Sequence, residues 1–182
     1  MDLILEIPNN ISSEKCKEIV KRFEADPNKK SGITTSFKPH PIKRSLDLPL
    51  SKNADEWKDI DEYLHKQLSK GIAEYNTHTQ KLGYSVVGAC LDGSYDNGYQ
   101  IQKTTPGDFY SWHHDSYAKN GRFLTFIWYL TTHDPMYNGG ATSFHPVSGD
   151  GGKIIAAETG KLIIFPATWT YVHMGLPLYI GD

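Results

Sequence analysis

Tyr110-Ser111-Trp112-His113-His114-Asp115 is the stretch on which the reading of this chain turns. It follows Pro106-Gly107, a turn signal, and reads as a strand. Side chains alternate faces along a strand, so His113 and Asp115 point one way and His114 the other. Two donors of the kinds that divalent metals accept therefore share a face, while His114 reads as a packed or exposed residue. By the same alternation Tyr110 falls on the face opposite His113, unless a bulge at the start of the strand re-aims it. Alone, a His-x-Asp pair carries little weight in a chain with eight histidines. Its surroundings decide.

Downstream, Lys161-Leu-Ile-Ile-Phe165 reads as a buried strand, Pro166 as a turn, and the run to His173-Met-Gly175 as a second extended segment. Two histidines and one carboxylate form a facial triad that leaves Fe(II) open positions for a bidentate co-substrate and O₂. Zinc more often takes additional His or Cys. The plainer alternative makes His173 an ordinary hydrogen-bonded histidine and Asp115 a turn residue.

The intervening sequence supplies ordered motifs: PG-x-x-Y-x-x-H-x-D from Pro106, R-x-x-T-x-x-x-Y-L from Arg122, GG-x-T from Gly139, G-x-L-x-x-F from Gly160 and H-x-G from His173. In this order, from about Tyr99 to the end of the chain, they resemble the 2-oxoglutarate and Fe(II)-dependent dioxygenases of the prolyl 4-hydroxylase type, in a small phage or bacterial form. The resemblance implies that His113, Asp115 and His173 hold iron, and that Tyr129 reaches the distal carboxylate of 2-oxoglutarate. It places Thr142 and Arg122 near that co-substrate, and implies ascorbate as an accessory reductant. Two positions depart from the pattern. Thr104, after Lys103, stands where many members have a Tyr. The cation expected nine or ten residues after the distal His would fall at or beyond Asp182. A buried carboxylate needs a positive partner. The expectation is therefore a site with no Lys or Arg beside the Tyr129 hydroxyl, an unpaired strand edge near the last residues, and a missing final strand. The competing expectation gives the anchor's role to Arg122, Lys103 or Lys161.

The chain's 182 residues suit one domain, 1–182, with a single core. Its 19 basic and 21 acidic residues nearly balance, and no basic block occurs, so nothing marks a nucleic-acid partner. No apolar run is long enough to span a bilayer. The opening Leu3-Ile-Leu-Glu-Ile7 lacks the features of a signal peptide. Cys16 on a helix face and Cys90 in an apolar run read as buried thiols. A reducing, cytoplasmic setting is expected.

Asn9 to Glu14 supplies caps for a first helix in which Cys16, Ile19, Val20 and Phe23 recur at helical spacing; Asp26-Pro27 ends it. Residues 28–53, rich in Lys and Pro, read as a long irregular stretch, either a lid or a surface crossing. A second helix over about 54–77 carries a stripe of Trp57, Ile60, Leu64, Leu68, Ile72 and Tyr75. Eight short strands are expected after Gly83: 84–91, 98–104, 109–115, 122–131, 140–145, 153–157, 161–166 and 170–174. The fold class is therefore α+β, mainly β. It is a double-stranded β-helix, or jelly roll, with the two helices on the outer face of a sheet.

The resemblance implies an Fe(II)/2-oxoglutarate dioxygenase that hydroxylates an unactivated C–H of a peptide or protein substrate, by analogy a prolyl residue, and releases succinate and CO₂. The other readings are a catalytically silent jelly-roll binding module and a cupin-like metalloenzyme that uses no 2-oxoglutarate. Trp112, Trp128 and Trp169 are candidates for a substrate groove or for packing.

Overall fold

A computed structural model of the protein describes residues 3–32, 42–50, 54–84, 86–91, 93–117, 121–146 and 152–180. Helix α1, Ser13–Ala25, begins where the sequence provides for it: the Ser12 side chain accepts from the Lys15 N–H, and Glu14 sits in the first turn. It stops where Asp26 leaves helical geometry and donates its N–H back to Arg22 and Phe23. Helix α2, Ala54–Lys81, is longer than its periodicity indicates. Its stripe of Trp57, Ile60, Leu64, Leu68 and Tyr75 is buried. The two helices are joined by Arg22, which grips Asp59 at 2.7 and 3.0 Å, and by the Trp57 indole N–H, which donates to Asp26 at 2.8 Å.

The stretch expected as a strand over 84–91 is instead a short helix, α3, Val86–Leu91. Gly83 turns the chain with φ 87°, the Val87 N–H donates to the Tyr84 carbonyl, and Val87 and Leu91 pack on the core. A short apolar run has no periodicity that separates strand from helix, and this one is settled by what it packs against, Ile7 and Leu162 among them.

The described part of the 28–53 stretch contains strands that its composition does not announce. It contains β2, Lys30–Ser31, β3, Lys43–Arg44, and β4, Leu46–Pro49, although residues 33–41 and 51–53 lie outside the described part. Seven strands follow α3: β5, Gln100–Lys103; β6, Phe109–His113; β7, Leu124–Trp128; β8, Thr142–Phe144; β9, Lys153–Ile155; β10, Leu162–Pro166; and β11, His173–Gly175. The expected strand over 170–174 starts late because Trp169–Tyr171 forms a 3-10 turn. With the opening β1, Leu5–Ile7, the described strands make three sheets, ordered β1-β10-β7, β3-β6-β11-β8-β9 and β2-β4-β5.

The first two sheets share a core of Ile4, Phe144, Ile155, Ile163 and Phe165, with Ile127 and Tyr129 against it. The even-numbered residues of β10 and β7 face the other way: Leu162, Ile164, Phe126 and Trp128 pack with Ile7 and with Ile72 and Tyr75 of α2. Leu162, Ile163, Ile164 and Phe165 are all fully buried, which is why this strand reads as unbroken apolar sequence. Each such side chain contributes about 1.5–3 kcal/mol by its burial. Gly71 lets α2 approach closely, since a Cβ there would lie 2.6 Å from Leu162 Cδ2.

One edge of β7 and one of β5 carry no paired strand among the described residues. Tyr129 engages the β10 side through both its N–H, to the Lys161 carbonyl, and its carbonyl, from the Gly160 N–H. By alternation Leu124, Phe126 and Trp128 turn their backbone groups to the other edge. On β5 the Tyr99 carbonyl accepts the Leu50 N–H, so Gln100 and Gln102 present the open side. Consecutive residues 99–104 and 121–131 line one cavity of about 1040 Å³. A cavity against a strand's face would meet alternate residues; this one meets both strands edge-on.

Candidate metal centre

Two strands and one turn bring the site together. His113 ends β6, and His173 starts β11 directly opposite it. Asp115 lies just past β6 and is held by its N–H, which donates to the Ala167 carbonyl at 3.0 Å; Ser116 donates to the same oxygen at 2.9 Å. His113 Nε2 is 3.6 Å from Asp115 Oδ1, and His173 Nε2 is 3.5 Å from Asp115 Oδ2. One ligand atom from each of the three lies within 4.8 Å of the others.

The imidazoles are oriented from behind. His113 Nδ1 meets the Ser111 carbonyl at 2.8 Å and His173 Nδ1 meets the Tyr171 carbonyl at 3.0 Å. A carbonyl can only accept, so each Nδ1 carries the proton and each Nε2 turns a lone pair inward. Thr125 on β7 donates its hydroxyl to Asp115 Oδ2 at 2.7 Å, fixing the carboxylate. Phe165 and Phe144 pack on the His173 ring. Burial first, and the neighbouring His173 second, push the His113 pKa down to about 4, so the imidazole is neutral at ordinary pH and free to offer its lone pair. Three acceptors thus converge with no donor among them. The residues present fit a divalent cation, and their two nitrogens and one carboxylate suit Fe(II) with open positions.

The other histidines stay outside the group. His114 points away and tilts against Tyr117, as alternation requires. His133 Nε2 meets the Thr131 hydroxyl at 3.0 Å, and His145 lies edge-on to Trp112. Tyr110 departs from alternation. His173 pairs with His113, yet Gly175 pairs with Tyr110, so two steps on β11 match three on β6. That bulge swings the Tyr110 ring onto His113, with centroids 3.5 Å apart and planes within 10°. Burial and the Asp115 charge raise its phenol pKa.

The cavity runs from the triad past Tyr129, Thr142 and Arg122. The Tyr129 hydroxyl donates to Thr142 Oγ1 at 2.7 Å, and burial raises its pKa. Among the described residues no Lys or Arg bonds to that hydroxyl. Lys103 is engaged with Glu24 at 2.7 Å, and Lys161 with Glu158 at 2.8 Å and Glu6 at 3.3 Å. Trp128 is a core residue whose indole donates to Asn10, whereas Trp112 and Trp169 are exposed. Thr125 and Tyr110 are functional neighbours that motif reading left without a role. Thr125 was readable by its spacing, since residues 125, 127 and 129 share one strand face; for Tyr110 the bulge stood open as an alternative, and strand pairing decides it.

Residues 99–182 match the model of the 2OG-Fe(II) oxygenase superfamily. No curated protein sequence matches the chain. Among solved structures the chain is similar to a prolyl hydroxylase from Trichoplax adhaerens in complex with a hypoxia inducible factor oxygen degradation domain peptide. That match has a TM-score of 0.71 and 16% identity, over 97% of this chain and 78% of that one. A viral collagen prolyl hydroxylase from Paramecium Bursaria Chlorella virus-1, in its 2OG complex, matches with a TM-score of 0.66 and 18% identity, over 99% and 91% of the two chains. A Pseudomonas putida prolyl-4-hydroxylase matches with a TM-score of 0.67 and 16% identity, over 97% and 87%.

Proposed function

We propose that this chain, whose residues 99–182 match the 2OG-Fe(II) oxygenase superfamily model, is a 2-oxoglutarate-dependent dioxygenase that acts on a peptidyl prolyl residue. The observation that carries the reading is the inward convergence of His113 Nε2, the Asp115 carboxylate and His173 Nε2. In this reading those three hold Fe(II), and the two facing sheets are the halves of a jelly roll. Bound iron and 2-oxoglutarate supply the oxidising chemistry, with release of succinate and CO₂. The chain's own residues bind, orient and exclude. Thr125 fixes Asp115, and the backbone carbonyls fix both imidazoles. Tyr129 and Thr142 offer hydroxyls to a carboxylate in the cavity, and Arg122 lines the same space.

The preference for a peptide rests on exposed aromatic side chains on the segments that meet at Asp115 and Ala167. Ala167 is bonded to Phe123, Asp115 and Ser116, which brings the exposed Phe123, Tyr117 and Trp169 to the Asp115 side of the site. Aromatic surfaces of this kind receive proline rings and extended proline-rich segments. The peptide in the Trichoplax complex points the same way. The buried free thiol of Cys16 suits a reducing, cytoplasmic setting.

Anaerobic titration with Fe(II), with and without 2-oxoglutarate, tests the co-substrate. A charge-transfer band that appears only when both are present is the expected result. Incubation with proline-containing peptides and their alanine counterparts, read by mass spectrometry, tests the substrate. One oxygen gained on the proline peptides alone is expected. A band without any peptide oxidation would remove the prolyl substrate, and no band at all would favour a silent module or a metalloenzyme of another kind.

A further inference from the structure

Outside the triad the described residues hold a buried ion pair. Lys43 Nζ lies 2.6 Å from Asp47 Oδ2, and the two side chains are only 3% and 7% exposed. The carboxylate is fully engaged: Gln100 Nε2 donates to Oδ2 at 2.7 Å and Ser45 Oγ to Oδ1 at 2.7 Å. Packing around it is tight, since a Cβ on Gly32 would fall 2.2 Å from Ser45 Oγ and 3.0 Å from Lys43 Cε. Two charges taken out of water recover their desolvation only in good geometry, and an apolar pair of similar volume often serves stability as well or better. Stability alone therefore gives no reason for this pair.

Its position gives one. Between Lys43 and Asp47 the chain leaves the sheet of the metal strand for a different sheet, because β3 pairs with β6 and β4 with β5. Lys43 pairs directly with Tyr110, and its ammonium sits 5.2 Å from the centre of the Tyr110 ring. Tyr110 in turn lies flat on His113. Ammonium, phenol ring and ligand imidazole form one column, anchored at its far end by Asp47. The bond from His113 Nδ1 to the Ser111 carbonyl fixes one edge of that imidazole, the His173 ring lies 4.2 Å away centre to centre, and Tyr110 covers a face.

We infer that the Lys43–Asp47 pair is a positioning clamp that holds Tyr110 flat against His113 and thereby sets the plane of that metal ligand. The inference rests on the triad being the metal site and needs neither 2-oxoglutarate nor the prolyl substrate. Anaerobic Co(II) titration, followed by visible absorption, tests it on the full chain. The double variant Lys43→Met/Asp47→Leu removes both charges while keeping bulk, and Tyr110→Leu removes the ring while keeping the pair. Each is expected to retain the far-UV circular dichroism of the parent, to bind Co(II) about tenfold more weakly and to show an altered band shape. Lys43→Arg, which keeps a cation over the ring, is expected to restore most of the affinity. Parental affinity and spectrum in the double variant would overturn the clamp. If the double variant does not fold, parental binding by Tyr110→Leu overturns it equally. Failure of the unmodified chain to bind Co(II) would instead refute the triad reading, and the clamp with it.

Discussion

Asp115 bears more than one ligand's share, because its two carboxylate oxygens face one histidine each while Thr125 holds it in place. Asp115→Ala is expected to abolish 2-oxoglutarate turnover while leaving the melting temperature of the metal-free protein within a few degrees of the parent. Its backbone bond to the Ala167 carbonyl, which alanine keeps, holds the segment independently of the carboxylate. Succinate production at the parental rate would remove Asp115 from the site. His113 adds a pH dependence. Its pKa in the fold is about 4 against an ordinary 6.5, so between these values the unfolded chain takes up a proton that the folded chain refuses. Stability of the metal-free protein should thus be fully present above about pH 6.5 and fall as pH drops toward 4, by on the order of 2–3 kcal/mol. Urea midpoints measured across that range check it, and a flat profile would show that the buried imidazole is protonated at little cost. The shared face of His113 and Asp115 was legible from spacing, since a period of two puts them together, whereas the convergence of His173 on them depends on the pairing of two distant strands.

Helices α1 and α2 were legible as elements because a 3.6-residue stripe of apolar positions is a local signal with caps to bound it. Helix α3, the strands inside 28–53 and the bulge in β6 were not. Each depends on a partner distant in sequence: Ile7 and Leu162 for α3, β6 for β3 and β5 for β4, β11 for the bulge. The same distinction separates Thr125 from Lys43, whose place beside the site comes only from pairing with β6. Strand β10 shows an element with two duties. Phe165 is fully buried, meets Phe144 edge-on at 4.8 Å, and meets His173 edge-on at 4.9 Å. Phe165→Ala is expected to cost about 3–5 kcal/mol in chemical denaturation. Because the ring also walls His173, the variant should bind Fe(II) more weakly even where it remains folded. Parental metal affinity in a destabilised variant would separate the two duties and confine Phe165 to the core.

At the scale of the molecule, residues from helices α1 and α2 and from all three sheets line one large cavity, and the triad is among them. The balanced charge of the surface gives that cavity no long-range pull on anions, so recognition has to come from groups inside it. The open edges of β7 and β5 set what those walls are like, because backbone amides that face a cavity must be served by water or by a guest. Alternation then writes a pattern into amide hydrogen exchange. The amides of Thr125 and Ile127, turned toward β10, should exchange slowly, while those of Leu124, Phe126 and Trp128 on the same strand should exchange orders of magnitude faster, despite side chains packed in the core. Residue-resolved exchange by NMR reads this directly, and uniform protection along β7 would mean that both its edges are paired in solution. With the alternating pattern, β7 is a strand whose side chains belong to the protein interior and half of whose backbone belongs to the solvent. Any guest that dries the cavity would then be visible first as a slowing at three alternate amides.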